Sequence, residues 1–503
     1  MEKEIEIKFQ LPDDERRVLA AWLRQQSART KRLQASYFDT ADRALARAGI
    51  SLRLRKEGAV WVQTLKTAPD GSAIARGEHN VRLARRSGQP EPEPELDLDR
   101  HRDTPGWLPL RAALHKAEPL QCLYQTDMRR LGLRSRKDEC VIEYALDTGE
   151  ISAAAGAPPL VVNVGELELE LVSGARQALF AEARRCLQAH ELWLDVRSKA
   201  MRGDHAARGT RIVPSARAAA IALDGQPSLA RLMHAVLCEC VRHLMLPASQ
   251  IASVDGHQPD HVHQARVALT RLRSALRLFD DHLPAQWQAW SDEARALGKK
   301  LAGSRDLDVM AASLWPALRQ AGAPLVELPP HEESVAPATA VRDKAVQLWL
   351  LDLLTLQAMD PPDDEGPPWT ALLPVFDAWH ARCRKGARRF DRMDGTQRHQ
   401  LRKRLKRLRY ASEFIAALCP QDGRESFARR LAKALQELGD HHDLLVAIER
   451  YREAAQTRPD ALFAMGWLTA RLQTSEQRCE RALKKFSRVA APWTRGAGTK
   501  SGH

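Results

Sequence analysis

The spacing of apolar residues changes once along this chain of 503 residues, at about residue 200. Before that point, apolar residues alternate with polar or charged ones, which is typical of β-strands because successive side chains point to opposite faces. Eight strands in one domain favour a closed barrel, since closure leaves no exposed sheet edge. The eight runs are Glu4–Phe9, Gln34–Phe38, Ser51–Arg55, Val60–Lys66, Ala75–Leu83, Leu123–Leu133, Val141–Leu146 and Leu160–Leu171.

Beyond a predicted linker at 204–215, the apolar spacing becomes helical. A basic segment that begins at His263 recurs at His399, and an acidic segment follows each of them 43 or 44 residues later. This spacing indicates a duplicated helical unit, each copy long enough for about four helices. We therefore predict an α+β multidomain protein. Its parts are a β-domain at 1–203, an all-α domain at 216–490 with halves at about 216–355 and 365–490, and a disordered tail at 491–503.

The net charge of +13 is concentrated in the helical part. The first 200 residues hold 32 Lys and Arg against 30 Asp and Glu, whereas the remaining 303 hold 45 against 34. Such an excess predicts a polyanionic partner, either nucleic acid, an anionic membrane surface or polyphosphate. The basic segments lack interleaved aromatic residues that stack on bases, and no helix-turn-helix or finger pattern is present. We therefore expect no specific nucleic acid and favour a phosphate polymer.

Composition also bears on the cellular compartment. No segment has the apolar length of a signal-peptide core or a membrane span. The eight cysteines are scattered, and the C-x-C spacing of Cys238 and Cys240 is poor for zinc. We therefore expect a cytoplasmic protein with reduced thiols and no membrane partner, and the oligomeric state stays open.

Two helical segments each carry a row of cations on one face. Residues at i, i+3, i+7 and i+10 of a helix share a face, and like charges there cost about 0.2–0.5 kcal/mol per pair. A helix that accumulates them is expected to face an anion, although a solvated face paired with carboxylates of neighbouring helices is the alternative. The rows are His263, Arg266, Thr270, Arg273 and Arg277, and then His399, Arg402, Lys406, Arg409 and Glu413.

The first strand is charged on one face only. Glu4, Glu6 and Lys8 alternate with apolar residues, so two carboxylates and an ammonium group share a face. This combination suits a divalent cation held next to a phosphate. A solvated strand face is the alternative that this segment alone leaves open.

An ordered set of motifs in the first 203 residues resembles the CYTH family, the triphosphate tunnel metalloenzymes. The matching residues are Glu4-x-Glu6-x-Lys8, Arg53-x-Arg55, Lys66, Arg76-x-Glu78, Thr126 to Arg130, Asp147, Glu166-x-Glu168-x-Glu170 and Lys199. The resemblance implies an N-terminal antiparallel eight-stranded β-tunnel barrel. It also implies a metal-dependent inorganic triphosphatase that uses Mg²⁺ or Mn²⁺ to hydrolyse tripolyphosphate to pyrophosphate and phosphate.

The same resemblance implies a role for each motif residue. The expected catalytic residues are Glu4, Glu6, Lys8 and Lys66. The expected substrate ligands are Lys8, Arg53, Arg55, Lys66, Arg76, Arg130 and Lys199. The expected metal ligands are Glu4, Glu6, Asp147, Glu168 and Glu170. Strand parity favours Arg130 as the inward residue and leaves Arg129 as the alternative.

The helical part, about 216–490, resembles the CHAD family, whose members are two four-helix bundles around a basic groove that binds inorganic polyphosphate. The motifs are His263-x-x-Arg266-Val267, Arg305-Asp306-x-Asp308, His399-x-x-Arg402, and Leu438-Gly439 with Asp443. The implied polyphosphate ligands are His263, Arg266, Arg271, Arg273, His399, Arg402, Lys403, Lys406 and Arg409. Asp306 and Asp443 are expected to pair with arginines of the basic helices.

Together the two resemblances predict an inorganic triphosphatase joined to a polyphosphate-binding module, with polyphosphate granules as a candidate location. One alternative is a tunnel enzyme for an organic triphosphate, either a thiamine triphosphatase or an adenylate cyclase. A second alternative is a non-enzymatic polyphosphate-binding scaffold. A third is non-specific nucleic-acid binding through the basic half.

Overall fold

The computed structural model of the chain describes residues 2–67, 74–83, 93–115, 119–153, 159–223, 225–302, 314–324, 326, 328 and 335–495. The predicted motif at 305–308 lies outside these ranges. The chain forms two compact units. The first consists of Met1–Ala216, Val241–Ala265 and Ala338–Asp360, and the second of Arg217–Cys240, Arg266–Pro337 and Pro361–His503.

The described residues of the N-terminal region form a closed antiparallel barrel. Its strand order is β5-β4-β3-β2-β6-β7-β8-β1, and the sheet closes because β1 also pairs with β5. Each of the eight predicted runs lies inside one of these strands, so the eight-stranded barrel is confirmed. The strands are β1 (Glu2–Gln10), β2 (Arg29–Asp39), β3 (Ile50–Glu57), β4 (Val60–Thr67), β5 (Ala75–Leu83), β6 (Gln121–Lys137), β7 (Cys140–Ala153), β8 (Leu160–Ser173) and a short β9 (Trp193–Leu194).

The first strand pairs with β5 and then with β8 along its length, and its last two residues also pair with β9. Glu2–Ile5 pairs with β5, and Glu6–Gln10 pairs with β8. The side chains of Glu4, Glu6 and Lys8 point into the barrel, whereas Ile7 and Phe9 point outward and are fully buried. The α-helices among the described residues of this region are α1 (Asp13–Gln25), α2 (Ala44–Arg47), α3 (Trp107–Leu114), α4 (Arg176–Ala189) and α5 (Lys199–Ala206). Of these, α1 contacts β6 and α4 contacts β8.

One part of the barrel interior is apolar, and α5 packs against it. Tyr124 of β6 and Ile151 of β7 form a buried cluster with Ala206 of α5, and the ring of Tyr124 stacks on that of Tyr37 at 4.7 Å. Gly203 of α5 lies so close to Tyr124 that an added Cβ would overlap the ring. The glycine therefore allows α5 to approach β6 closely.

The remaining described elements are helices, which confirms a helical region after the barrel. They are α6 (Leu229–Ala252), α7 (Pro259–Leu278), α8 (Trp290–Lys300), α9 (Trp315–Gln320), α10 (Pro337–Arg342), α11 (Lys344–Ala358), α12 (Leu373–Ala387), α13 (Gly395–Phe414), α14 (Gln421–Ala455), α15 (Ala461–Thr469) and α16 (Leu472–Phe486).

The basic helix α13 shows why this part of the sequence is helical. Asp394 and Gln397 form a capping box, so each side chain accepts a hydrogen bond from the other residue's backbone N–H. Leu401, Leu405 and Leu408 recur at helical spacing and are buried. In the second unit, α12, α13, α14 and α16 contact one another in a closed circuit. The division of the whole helical region into two four-helix bundles stays a prediction.

The segment predicted as a linker, 204–215, is packed. Ala206 ends α5 and is fully buried. Val213 is 3% exposed, and its N–H donates to Gln250 Oε1 at 3.0 Å. Its carbonyl accepts from His261 Nε2 at 2.7 Å. Both backbone polar groups of Val213, its N–H and its carbonyl, are therefore hydrogen-bonded within the first compact unit.

The first residues of the segment predicted as a disordered tail, 491–503, are also packed. Trp493 is 2% exposed, donates from Nε1 to Asp377 at 2.9 Å, and stands 5.1 Å from the ring of Phe376. A single buried tryptophan anchors this stretch, which is too short to show a periodic pattern. Residues 496–503 lie outside the described ranges.

Two expectations from composition can be compared with the structure. All eight cysteines are free thiols, and five of them are buried. No helix in the described ranges combines the length and the apolar character that crossing a bilayer requires.

Candidate active site

The charged half of the barrel interior is built from seven strands and α5. Directly paired residues of neighbouring strands point to the same face, and the register pairs Glu6 with Glu170 and Lys8 with Glu168. Every residue predicted for the barrel site lies on this inward face: Glu4, Glu6, Lys8, Arg53, Arg55, Lys66, Arg76, Arg130, Asp147, Glu168 and Glu170 on the strands, and Lys199 at the start of α5.

One group of carboxylates lies on β7 and β8. Asp147, Glu166 and Glu168 each offer an oxygen, and these oxygens all lie within 4.8 Å of one another. Lys199 Nζ lies 2.7 Å from Asp147 and 2.9 Å from Glu168, and it also contacts Glu166. Arg130 donates to both oxygens of Asp147, at 2.7 and 2.6 Å. We call Asp147, Glu166 and Glu168 the β7–β8 cluster.

A second group of carboxylates lies around β1. Lys66 Nζ lies 2.7 Å from Glu4 and 2.9 Å from Glu78, and Lys8 Nζ lies 3.1 Å from Glu6. In both groups the ligand-free site therefore pairs its carboxylates with its own cations.

The carboxyl groups around β1 differ in their affinity for protons. Burial and the charge of Glu6 raise the pKa of Glu4 to about 8. Burial and the charges of Glu143 and Glu6 raise the pKa of Glu170 to about 7. Burial alone would raise the pKa of Glu6, but the positive charge of Lys8 outweighs it and lowers the pKa to about 2. The site thus raises the pKa of some of its carboxyl groups and lowers that of others.

Replacing Glu170 by glutamine is expected to stabilise the metal-free protein more at pH 8 than at pH 5. The pKa of Glu170 is about 7 in the folded protein and 4.5 in a free side chain, so the folded state binds this proton more tightly. The contribution of this proton to the free energy of unfolding is complete below about pH 4.5 and is lost as the pH rises through 7. Glutamine does not titrate, so the variant avoids this loss.

The measurement is thermal unfolding in EDTA at pH 5, 6, 7 and 8. Glu150→Gln is the control, because Glu150 is exposed on the outer face of β7. A difference between Glu170→Gln and the wild type that stays constant with pH would contradict the prediction.

Two arginines of β3 have a buried nitrogen atom that finds no hydrogen-bond partner among the described residues, namely Nε of Arg53 and Nε of Arg55. Arg53 otherwise donates to the hydroxyl of Tyr37 at 3.1 Å, and Arg55 pairs with Glu57. Burial and repulsion from Arg53 lower the pKa of Arg55. Buried donors are nearly always bonded, so these two groups fit an anionic ligand inside the barrel.

The interior also contains charged residues that were not assigned a role from the sequence. Glu166 is fully buried and accepts from Gln10 Nε2 at 3.1 Å and from Arg202 Nη1 at 3.3 Å. Its position two residues before Glu168 was the sequence feature that could have identified Glu166 as a site residue. Arg202 follows Lys199 by three residues on α5, which puts both on one helix face. Arg130 points inward, whereas Arg129 is exposed.

The residues predicted to bind polyphosphate lie on α7 and α13. His263, Arg266 and Arg273 are half-buried on α7, and Arg266 donates to the Ala302 carbonyl at 3.3 Å. On α13, His399, Arg402 and Lys406 are half-buried, and Lys403 and Arg409 are exposed. Burial and the charge of Arg402 lower the pKa of His442 of α14 to about 4, and the His442 and His399 rings are 5.4 Å apart.

Arg271 differs from the other predicted polyphosphate ligands. It is 4% exposed, pairs with Glu413 of α13, and lies over the rings of Tyr410 and Phe414 at 5.4 and 5.1 Å. Its charge is therefore enclosed between α7 and α13 and does not contribute to an open basic surface. The helical-wheel rows had not included Arg271, which came from the motif alone.

Family models match the barrel region and the helical region of the chain separately. Residues 2–203 match the CYTH domain family, and residues 235–452 match the CHAD domain family. The chain carries a CYTH domain followed by a CHAD domain. An uncharacterized protein of Mycobacterium tuberculosis is 28% identical over 509 residues, which cover 94% of this chain and 93% of the relative.

Two solved structures are similar to separate parts of the chain. The CHAD domain from the plant Ricinus communis is 28% identical, covers 56% of this chain and 98% of its own, and gives a TM-score of 0.41. A Hippeastrum protein with a dominant triphosphatase activity is 18% identical, covers 41% of this chain and 96% of its own, and gives a TM-score of 0.28. At these TM-scores, neither structure informs the geometry of the CYTH site or the CHAD surface.

Proposed function

We propose that the CYTH domain is an inorganic triphosphatase that hydrolyses tripolyphosphate to pyrophosphate and phosphate. The observation that carries this proposal is the closed barrel interior that combines buried carboxylate clusters with the unpaired Nε groups of Arg53 and Arg55. Burying a triphosphate requires several fixed cations. A divalent cation beside it requires oxygen ligands. The interior offers both.

The cations of the barrel wall are proposed to bind the phosphates. They are Lys8, Arg53, Arg55, Lys66, Arg76, Arg130 and Lys199. In the ligand-free protein, carboxylates hold several of them extended, as Glu4 holds Lys66 and Asp147 holds Lys199. Donors that are already oriented stabilise the charge that develops on the leaving pyrophosphate without reorganisation.

The carboxylates are proposed to hold Mg²⁺ or Mn²⁺. The ligands would come from Glu4, Glu6 and Glu170 around β1 and from the β7–β8 cluster. Grouped carboxylate oxygens are the donors that these ions prefer, and the 4.8 Å spacing of the β7–β8 cluster fits them. When bound, the metal would neutralise phosphate charge and activate the attacking water.

We further propose that the CHAD domain binds inorganic polyphosphate. Support comes from guanidinium groups that lie close together on α7 and α13. The pKa of Arg407 is lowered by burial and then by the positive charges of Arg277 and Arg273. Cations placed so close to one another favour a polyanionic ligand. The proposed ligands are those predicted from the sequence, without Arg271.

The test is phosphate release by the purified chain with Mg²⁺ or Mn²⁺. The substrates are tripolyphosphate, pyrophosphate, ATP, thiamine triphosphate and long-chain polyphosphate. Cleavage confined to tripolyphosphate, and abolished by EDTA, is the expected result. Polyphosphate binding without hydrolysis of any substrate would contradict the triphosphatase and favour a binding scaffold.

One cavity favours a second candidate, an organic triphosphate as substrate. It has a volume of about 610 Å³ and is lined by Lys66 and Arg76, by Tyr37 and Tyr124, and by further polar and apolar side chains. An organic group could occupy it while its phosphates contact Lys66 and Arg76. Faster cleavage of ATP or thiamine triphosphate than of tripolyphosphate would favour this candidate.

Replacing Arg55 by methionine is expected to stabilise the ligand-free protein and to weaken tripolyphosphate binding by about tenfold or more. The guanidinium group is repelled by Arg53 while no ligand is bound, whereas a charge-assisted bond to phosphate contributes about 1.5–3 kcal/mol. Thermal unfolding and titration calorimetry in EDTA, with and without tripolyphosphate, measure both effects.

The control for this prediction is Arg129→Met, which removes an exposed guanidinium from the outer face of β6. It should leave the affinity unchanged. Wild-type affinity in Arg55→Met would show that Arg55 does not contact the substrate.

A further inference from the structure

A buried chain of polar contacts connects α6 to the segment that precedes Lys199, all within the first compact unit. Arg197 is 1% exposed. Its Nε and Nη2 donate to the two carboxylate oxygens of Asp195 at 2.9 and 2.7 Å, and its Nη1 donates to Gln250 Oε1 at 2.8 Å. Removing one partner of a buried charged group is costly. The position of Arg197 therefore depends on a side chain of α6.

The side chain of Gln250 makes two further hydrogen bonds. Its Oε1 also accepts from the Val213 N–H at 3.0 Å, and its Nε2 donates to the Gly256 carbonyl at 2.7 Å. The preceding residue, Ser249, accepts from the Val196 N–H at 3.1 Å. Two consecutive residues of α6 thus bind two consecutive residues of the segment before α5.

This segment joins two cations of the site. On one side, the Asp195 N–H donates to the carbonyl of Lys8 at 3.0 Å. On the other side, Ser198 caps α5 by accepting from the Met201 N–H at 3.0 Å, and Lys199 is the first residue of that helix. Arg197 therefore lies in a bonded stretch of chain between Lys8 and Lys199.

We propose that Gln250, which belongs to the CHAD domain, is a positioning residue for Lys199 of the CYTH site. The proposal rests on the proposed function, in which Lys199 binds phosphate. Gln250 holds Arg197, and Arg197 fixes the turn from which Lys199 reaches the β7–β8 cluster. Misplacing a reacting group by about 1 Å can cost about 100-fold in rate. The CYTH site would then be complete only when α6 is packed against this segment.

The test is Gln250→Met, which keeps the volume of the side chain and removes its hydrogen bonds. The matched control is Gln347→Met. Gln347 is 1% exposed, accepts from the Leu194 N–H at 2.7 Å and donates to the Val341 carbonyl at 2.8 Å. Like Gln250, it accepts from one backbone N–H and donates to one backbone carbonyl, and Leu194 lies five residues before Lys199. Gln347 does not contact Arg197. Both variants are expected to unfold at a lower temperature than the wild type.

Only Gln250→Met is expected to lower kcat/KM for tripolyphosphate, by about tenfold or more, and to weaken tripolyphosphate binding in EDTA by a similar factor. Gln250→Glu keeps oxygens that can accept from Arg197 and Val213 but loses the bond to the Gly256 carbonyl, so it should recover only part of this loss. Equal losses in Gln250→Met and Gln347→Met, or wild-type kinetics in Gln250→Met, would overturn the proposal.

A second variant keeps the proposal testable if Gln250→Met does not fold. Ser249→Ala removes only the bond to Val196. The variant should stay folded at the assay temperature and still show a lower kcat/KM than the wild type. Unchanged kcat/KM in a folded Ser249→Ala variant would then overturn the proposal. A wild type that binds tripolyphosphate without cleaving it would contradict the triphosphatase, while the affinities in EDTA would still test the role of Gln250.

Discussion

A Gly203→Ala variant is expected to lose at least about 2 kcal/mol of folding free energy and most of its triphosphatase activity. The added Cβ would overlap the ring of Tyr124, which is itself stacked on Tyr37. Overpacking a rigid core costs about 1–3 kcal/mol or more. Relief requires α5 to move away from β6, and Lys199 moves with it because it lies one turn earlier on the same helix.

Thermal unfolding and steady-state kinetics measure the two effects, and the unfolding midpoint should fall by roughly 4–8 °C. The control is Gly466→Ala on α15. That glycine is exposed and has nothing within 4 Å of the added Cβ, so alanine there should be neutral or stabilising by up to about 1 kcal/mol. A fully active Gly203→Ala variant of normal stability would show that the approach of α5 to Tyr124 is looser than described.

A Glu6→Gln variant is expected to lose at least about 100-fold in kcat at a fixed Mg²⁺ concentration. Glu6 stays ionised because the charge of Lys8 lowers its pKa to about 2 against the effect of burial. The amide of glutamine can still accept from Lys8, but it carries no charge and is a weaker ligand for Mg²⁺. A loss of about 2.7 kcal/mol in transition-state stabilisation corresponds to 100-fold.

The measurement is kcat as a function of Mg²⁺ and Mn²⁺ concentration, with Glu150→Gln as the control for charge removal. Thermal midpoints of both variants separate an effect on the site from an effect on folding. Wild-type kcat in Glu6→Gln at low metal concentration would remove Glu6 from the metal site.

The barrel could be predicted because its strands are long enough to show their period. Val60–Thr67 and Ala75–Leu83 alternate clearly, and their inward faces carry the charges that define the motif. Short elements gave no such signal: α2 has four residues and β9 has two. The buried positions of Val213 and Trp493 were missed for the same reason, since one apolar residue in an irregular segment does not reveal its partner.

The sequence predicted which residues of each strand face the site, but it did not predict contacts between segments that are far apart in the chain. Parity identified Arg130 as the inward residue, because neighbours on a strand point to opposite sides. The role of Arg271 depends on Glu413, which is 142 residues away, and no local pattern relates the two. Gln250 likewise reaches Arg197 over 53 residues. Contacts between distant segments decide which cations stay accessible and which become part of the core.

The double pairing of β1 has a consequence for how the protein is made. The residues of β1 leave the ribosome well before those of β8, yet Glu6–Gln10 can pair only after β8, which ends at Ser173, has been synthesised. Such long-range pairing is slow because the entropy of a large loop must be lost first. During that interval β1 is an open edge. The charges that are later enclosed in the barrel would then repel other chains and limit aggregation.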